Sequence, residues 1–345
     1  MFISPKSYYS FDDVLLKPQY SEIVSRADVD LSTHLGKMNL GLPIVSANMD
    51  SVTEFDMAFA MSRHGRGIGI MHRFATIDQQ VSWVRHCGSN CVPAIISIGF
   101  DTREWTPLLR QVCEEIDAVC IDVAHGDHKR MINTITAIRK TYPDLDIIAG
   151  NVATGQAALR LVKAGANVIK TGVGPGSVCS TRMVTGHGIP QLSAIMDVYE
   201  VLSQINIPTY IIADGGIRYP GDIVKALAAG ADAVMIGSLL AGTDEAAGER
   251  IVEHGVAFKT YRGMASREAQ TEKRNGRTPR VEGVTAKVPY RGPVRDTLNN
   301  LEAGVRSGFS YSGANNIAEL RANAEFIVVT SNTLKENQPH HPYRL

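Results

Sequence analysis

Asp146-Ile147-Ile148-Ala149-Gly150, then Gly155 to Ala164, then Val168-Ile169-Lys170-Thr171: this stretch reads as strand, helix, strand. Both apolar runs are short and almost unbroken, as strands are when a parallel sheet is covered on both faces. The same unit recurs in both directions. Upstream the runs are Pro43-Ile44-Val45-Ser46-Ala47, Gly67-Ile68-Gly69-Ile70-Met71, Ala94-Ile95-Ile96-Ser97-Ile98 and Ala118-Val119-Cys120-Ile121-Asp122. Downstream they are Thr209-Tyr210-Ile211-Ile212-Ala213 and Ala233-Val234-Met235-Ile236. Helical periodicity fills the intervals, as in Lys129 to Lys140 and in Phe55 to His64, where Phe55, Ala58, Phe59 and Ser62 mark one face. Eight such units in roughly 250 residues predict an α/β fold, a (β/α)8 TIM barrel. An open doubly wound sheet fits less well, because its dinucleotide glycine fingerprint is missing from the first strand turn.

The whole chain, 1–345, is expected to be one barrel domain. Residues 1–40 form an N-terminal extension. Residues 262–292 form a polar insertion, with Arg267, Lys273, Arg274, Arg277 and Arg280 among Gly and Pro. No sustained period is visible there, so a mobile flap over the rim is expected. The tail from Lys335 is expected to fray.

Composition excludes several classes. Hydrophobic residues are 44% and charged residues 20%, enough for a large core. Lys+Arg and Asp+Glu both number 35, a balance that argues against a general nucleic-acid or membrane-surface binder. Met1-Phe2-Ile3-Ser4-Pro5-Lys6 lacks the basic stretch and apolar run of a signal peptide. No apolar run approaches the ~18–20 residues that span a bilayer. Five sparse cysteines read as a reduced, cytoplasmic protein. Cys87 and Cys91 have no second Cys/His pair at zinc spacing and are taken as incidental thiols.

The strand ends carry chemistry. They read Asn48-Met49-Asp50, His72-Arg73, Asp122 to Gly126, Gly150-Asn151, Gly172 to Cys179, Asp214-Gly215-Gly216 and Gly237-Ser238. In a barrel these ends form one rim, where active sites lie. Gly172, Gly174, Gly176 and Gly186 permit positive φ and close backbone approach, suiting either a phosphate or a monovalent cation. Cys179 follows, flanked by backbone dipoles and Arg182, with a route to the thiolate that attacks carbon. Cys87, Cys91, Cys113 and Cys120 are taken as structural. Asp214-Gly215-Gly216 and Gly237-Ser238 lie where barrels often bind phosphate, with Asp214 better suited to ribose hydroxyls. His125 and His128 are open between base, ligand and structural roles.

These residues stand in long motifs: Phe11-Asp12-Asp13-Val14-Leu15-Leu16-Lys17-Pro18, Ser46 to Asp50, Gly150-Asn151-Val152-Ala153-Thr154, Gly172 to Arg182, Asp214 to Ile217, Tyr261-Arg262-Gly263-Met264 and Val288 to Gly292. In that order they resemble the IMP dehydrogenase/GMP reductase family over nearly the whole chain. The resemblance implies that Ser177, Gly216, Gly237, Ser238 and Tyr261 hold a nucleotide phosphate, with Gly263 and Met264 beside it and Asp214 on the ribose. It implies that Cys179 attacks purine C2, that the carbonyls of Gly174, Gly176 and Cys179 bind potassium, and that the protein is a homotetramer. Nicotinamide is expected near Asp122, Asn151 and Arg182, with Arg73 a candidate for the extra phosphate of NADPH. The regulatory CBS pair that most IMP dehydrogenases insert after the second barrel helix has no room between His72 and Ala94.

Two reactions divide the family. A dehydrogenase takes hydride from IMP to NAD and uses an Arg-Tyr pair in the flap to activate water; residues 262–292 contain no Arg-Tyr dipeptide. A reductase expels ammonia from GMP, which needs proton delivery to a poor leaving group. Thr181 and Glu282, in Val281-Glu282-Gly283, match that pair. Met71-His72-Arg73-Phe74, Thr185-Gly186 and Gln191 to Ala194 also look like reductases, whereas Tyr261-Arg262-Gly263-Met264 and Arg291-Gly292-Pro293 are dehydrogenase-like. The expectation is the GMP reductase reaction, GMP and NADPH giving IMP, ammonia and NADP⁺. An IMP dehydrogenase without the insert, a catalytically silent purine sensor and a flavin-dependent barrel are the competing readings.

Overall fold

The computed structural model describes residues 6–64, 66–273 and 281–337. Eight parallel strands line its centre: β1 Ile44–Ser46, β2 Ile68–Gly69, β3 Ile95–Ile98, β4 Ala118–Asp122, β5 Asp146–Val152, β6 Val168–Thr171, β7 Tyr210–Asp214 and β8 Ala233–Ile236. They run in the order β2-β1-β8-β7-β6-β5-β4-β3. The remaining seam is bridged where the Met71 N–H donates to the Ile95 carbonyl at 2.9 Å, just beyond β2. Every residue of β1, β3, β6 and β8 is buried, so the unbroken apolar runs follow from burial on both faces.

Eight helices cover the strands: α1 Phe55–His64, α2 Ile77–Ser89, α3 Thr102–Val112, α4 Lys129–Thr141, α5 Gly155–Ala164, α6 Gln191–Leu202, α7 Pro220–Ala228 and α8 Val294–Tyr311. The architecture is a (β/α)8 barrel. Local chemistry starts the helices: the Thr154 hydroxyl accepts the Ala157 N–H at α5, and Thr76 with Gln79 forms a capping box at α2. The interval between β2 and β3 holds α2 and short connections, with no further domain. No helix among the described residues is long and apolar enough to cross a membrane.

Three expectations need correction. In α1 the buried residues are Met57, Ala58, Ala60 and Met61, while Phe55 and Phe59 tilt against each other at the flank with ring centroids 5.7 Å apart. Ala58 and Ala60 let the helix approach the barrel while Met57 and Met61 fill the space between them, and the two rings stay partly exposed beside it. The 262–292 segment is not without period: Arg267–Lys273 is helical, and Thr285–Pro289 pairs with Val256–Arg262, itself paired with Arg250–Glu253. Arg274, Arg277 and Arg280 lie outside the described residues. In the tail, Thr333–Glu336 is a helical turn, so order extends past Lys335; residues 338–345 lie outside the described ones.

The N-terminal extension docks on the barrel. Val14–Leu16 pairs with Phe326–Val328, Arg218 grips Asp12 at 3.0 and 2.5 Å, and Lys225 donates to the Phe11 carbonyl at 2.8 Å.

Candidate active site

The loop after β6 turns back on itself through Gly172 (φ 145°) and Gly174 (φ 86°), values that favour glycine. Gly174 is also required by contact, because a Cβ there would stand 2.5 Å from Arg182 Cγ. The loop ends in a narrow antiparallel ribbon. Cys179 bridges Gly283, the Ser180 N–H donates to the Glu282 carbonyl at 2.9 Å, and the Val284 N–H donates to the Val178 carbonyl at 3.0 Å. On its far side the same strand meets 263–265: Glu282 N–H donates to Ala265 O at 3.0 Å, and Gly263 N–H to Val284 O at 3.1 Å.

That ribbon fixes a side-chain relay. The Cys179 thiol donates to the Thr181 hydroxyl at 3.3 Å, and that hydroxyl donates to Glu282 Oε2 at 3.0 Å. Two residues and 103 residues of sequence separation are thus resolved into one line of contacts. All three side chains border a cavity of about 360 Å³ over the barrel mouth.

Beneath the cavity lies a charge the sequence reading passed over. Lys170, 2% exposed, reaches Asp122 Oδ1 and Asp214 Oδ2, each at 2.9 Å. Burial alone would lower the lysine's pKa, but the two carboxylates outweigh it and hold the ammonium charged. Burial likewise works to raise Asp122, and the charges of Lys170 and Arg73 outweigh it and hold that carboxyl below its ordinary range. Asp214 Oδ2 also accepts from Asn151 Nδ2 at 2.9 Å, and Asn151 donates to the Gly172 carbonyl at 2.8 Å. Asp214 is therefore the last residue of β7, already engaged on one oxygen. Asn151 Oδ1 is buried without a hydrogen-bond partner among the described residues.

Asp122, Asn151, Arg73, Asp214, Gly237, Tyr261, Gly263 and Met264 border the same cavity as the relay, together with Gly174 and Gly176. Ser177, Gly216 and Ser238 border a neighbouring one of about 220 Å³. Tyr261 lies in the first cavity, 4% exposed, and burial pushes its hydroxyl up to about 12 while Ser177 beside it works the other way.

Arg182 is not with Asp122 and Asn151. It lies against Gly174 and Gly188, donates to the Ile189 carbonyl at 2.7 Å, and borders the second cavity beside Ser177. A sequence offset of three from Cys179 puts it on the outer side of the short helix Thr181–Thr185. His128 caps α4, its Nδ1 accepting the Arg130 N–H at 3.0 Å. Cys87 and Cys120 are buried, and burial pushes both thiols up to about 12, which makes them poor nucleophiles.

Sequence comparison identifies the family. A family model described as "IMP dehydrogenase / GMP reductase domain" matches residues 8–340. The inosine-5'-monophosphate dehydrogenase of Borreliella burgdorferi is 37% identical, covering 97% of both chains. The GMP reductase of Caenorhabditis elegans is 38% identical over 94% of this chain and 92% of its own. That of Onchocerca volvulus is 39% identical over 94% of this chain and 91% of its own. A family model over residues 8–340 and relatives at 37–39% identity over more than nine-tenths of the chain leave one conclusion: the chain belongs to the IMP dehydrogenase / GMP reductase family, whose members are oxidoreductases acting on purine nucleotides.

Proposed function

We propose that the protein is a GMP reductase, converting GMP and NADPH to IMP, ammonia and NADP⁺. The observation that carries this reading is the Cys179–Thr181–Glu282 relay. Each donor in it points toward the carboxylate, so a proton leaving the thiol has a path through Thr181 to Glu282. The thiolate adds to C2 of GMP, forming the S–C2 bond. Glu282 then returns the proton through Thr181 to the exocyclic amine, and the C2–N bond breaks with loss of ammonia. NADPH, when bound, supplies the hydride that reaches C2 as the C2–S bond breaks, leaving IMP and free Cys179. An untethered amine would leave poorly; a positioned acid accounts for about 10²–10⁴-fold.

The cavity suits a nicotinamide. The partnerless Asn151 Oδ1 can accept from a carboxamide, and the ion-paired floor of Lys170, Asp122 and Asp214 keeps that wall rigid. Arg73 borders the cavity next to Asp122 and is the residue proposed for the cofactor's additional phosphate. Arg182 is proposed instead for the phosphate side, with Ser177, Gly216 and Ser238. Potassium fits only in part. Gly176 O already accepts the Cys179 N–H at 3.1 Å, so an ion held by Gly174, Gly176 and Cys179 would need further oxygens from a second subunit of the proposed homotetramer. Residues 262–292 are proposed as a closing flap within a single domain, in a cytoplasmic enzyme.

Two experiments bear on this reading. Glu282→Gln keeps GMP binding but loses ammonia release by about 10²-fold or more; a variant releasing ammonia at the normal rate would remove Glu282 from the mechanism. At Gly237 an added Cβ would stand 2.7 Å from the Tyr261 hydroxyl. Gly237→Ala should displace that hydroxyl and weaken GMP binding by about tenfold, one hydrogen bond's worth. An unchanged Kd by calorimetry would free the phosphate from this corner. The second reading, IMP dehydrogenase, is favoured by the Borreliella burgdorferi relative, whose 37% identity is close to the 38% and 39% of the reductases and whose coverage, 97% of both chains, is higher.

A further inference from the structure

The smaller cavity, about 220 Å³, has an acid on the wall of a site proposed for an anion. Ser177, Gly216 and Ser238 form one side of it, and Arg182 borders it as well. The other side belongs to the N-terminal extension, through Ser10, Phe11 and Asp12, with Arg218 beside Asp12. The Asp12 carboxylate accepts from both ends of that guanidinium, Nη1 at 3.0 Å and Nη2 at 2.5 Å. The side chains of Asp12 and Arg218 remain 41% and 48% exposed, so their charges are open to a ligand in this cavity. Hydrogen bonding from Arg218 holds the Asp12 carboxyl below its ordinary range, which keeps it ionised at neutral pH.

Docking of the extension does not need this pair. Exposed ion pairs stabilise a fold little, and other contacts hold the segment. Phe11 is buried against Gly216, where an added Cβ would stand 3.5 Å from its ring. Lys225 donates to the Phe11 carbonyl at 2.8 Å, and Val14–Leu16 pairs with Phe326–Val328. What the pair does decide is the charge offered to an anion. Asp12 cancels Arg218, and Asp222 stands a further 3.6 Å from the Arg218 Nε. Arg182, which donates to the Ile189 carbonyl, is left to supply positive charge. That balance suits one phosphate. The nucleoside of a bound nucleotide fills the catalytic cavity, so a second phosphate must extend away from it, toward the extension. There it meets a carboxylate and a guanidinium already engaged. We propose that Asp12, by occupying Arg218, makes the site select nucleoside monophosphates over diphosphates. The inference rests on the placement of the phosphate at Ser177, Gly216 and Ser238, and is independent of the direction of the reaction.

IMP is substrate or product in either reaction of the family, so IMP and IDP are the probes, with binding read by calorimetry. The wild-type protein should bind IDP at least about ten-fold more weakly than IMP. Asp12→Asn keeps an oxygen for Arg218 but removes the negative charge. It should leave the Kd for IMP within about three-fold and narrow the IMP/IDP gap by about five-fold or more. Arg218→Gln removes the cation and leaves Asp12 exposed to the ligand, so it should widen the gap. The opposite signs are the test, because a pair that only docks the extension would move both nucleotides together and in the same direction in both variants. If Asp12→Asn does not fold, the widening in Arg218→Gln still decides. IDP binding the wild type as tightly as IMP, a gap unchanged in Asp12→Asn, or a gap narrowed in Arg218→Gln would overturn the proposal. Inosine binding as tightly as IMP would instead remove the phosphate site itself, and the inference with it.

Discussion

Cys179→Ala abolishes turnover, by at least ~10⁴-fold in kcat, while leaving nucleotide affinity within a few-fold of wild type. The magnitude follows from the chemistry. Without the thiol there is no S–C2 bond, and neither Thr181 nor Glu282 can replace a covalent nucleophile. Affinity survives because Ser177, Gly216, Gly237, Ser238 and Tyr261, the residues proposed for the phosphate, are untouched. Rapid-mixing assays of cofactor oxidation beside calorimetric titration with GMP separate the two effects. Full activity in the variant would leave the covalent route without support. Loss of binding in step with activity would mean that Cys179 shapes the pocket rather than attacks.

Lys170→Met should destabilise the fold by about 3 kcal/mol or more, because it leaves two carboxylates facing each other without their cation. The urea midpoint reads this, with an unchanged m-value. The pH dependence carries a sign. Asp122 is held below its ordinary value in the wild-type fold, so its contribution is present above the unfolded pKa of about 3.9 and is lost as pH falls through the folded value. In the variant the buried carboxylate loses its cation and its pKa rises, so lowering the pH from neutral lets the fold take up a proton and recover stability. The gap between the two proteins is therefore widest near neutral pH and narrows toward pH 4. An equal gap at pH 8 and pH 5 would show that Lys170 acts through packing alone. Activity should fall as well, since Asp122 and Asp214 border the reaction cavity and are oriented by the same ammonium.

The barrel was legible because strands buried on both faces must be apolar throughout, and β4 through β8 fell within one or two residues of their expected bounds. Burial explains the failures too. Lys170 sits in β6 as the one charged residue among Val168, Ile169 and Thr171, and that oddity was the available signal. Its meaning depends on partners in β4 and β7, which no local window contains. The flap strand Thr285–Pro289 alternates exposed and half-buried residues, a weak pattern typical of an edge and easily read as loop. Arg182 was misplaced for a related reason. Nearness in sequence to Cys179 says nothing about which side of the loop a long side chain takes, and Gly174 and Gly188 leave it room on the outer side. Glu282 could be tied to Thr181 only by family resemblance, because the ribbon that joins them is made of backbone hydrogen bonds across 101 residues.

The direction of the reaction separates the family's two activities. Pure protein is mixed with GMP and NADPH in one cuvette and with IMP and NAD⁺ in another, and the absorbance of the reduced cofactor is followed alongside ammonia. The relay of Cys179, Thr181 and Glu282 predicts loss of absorbance in the first mixture, with one ammonia released for each NADPH consumed, and no comparable turnover in the second. Rising absorbance with IMP and NAD⁺, and none consumed with GMP, would contradict it and assign the barrel to dehydrogenation.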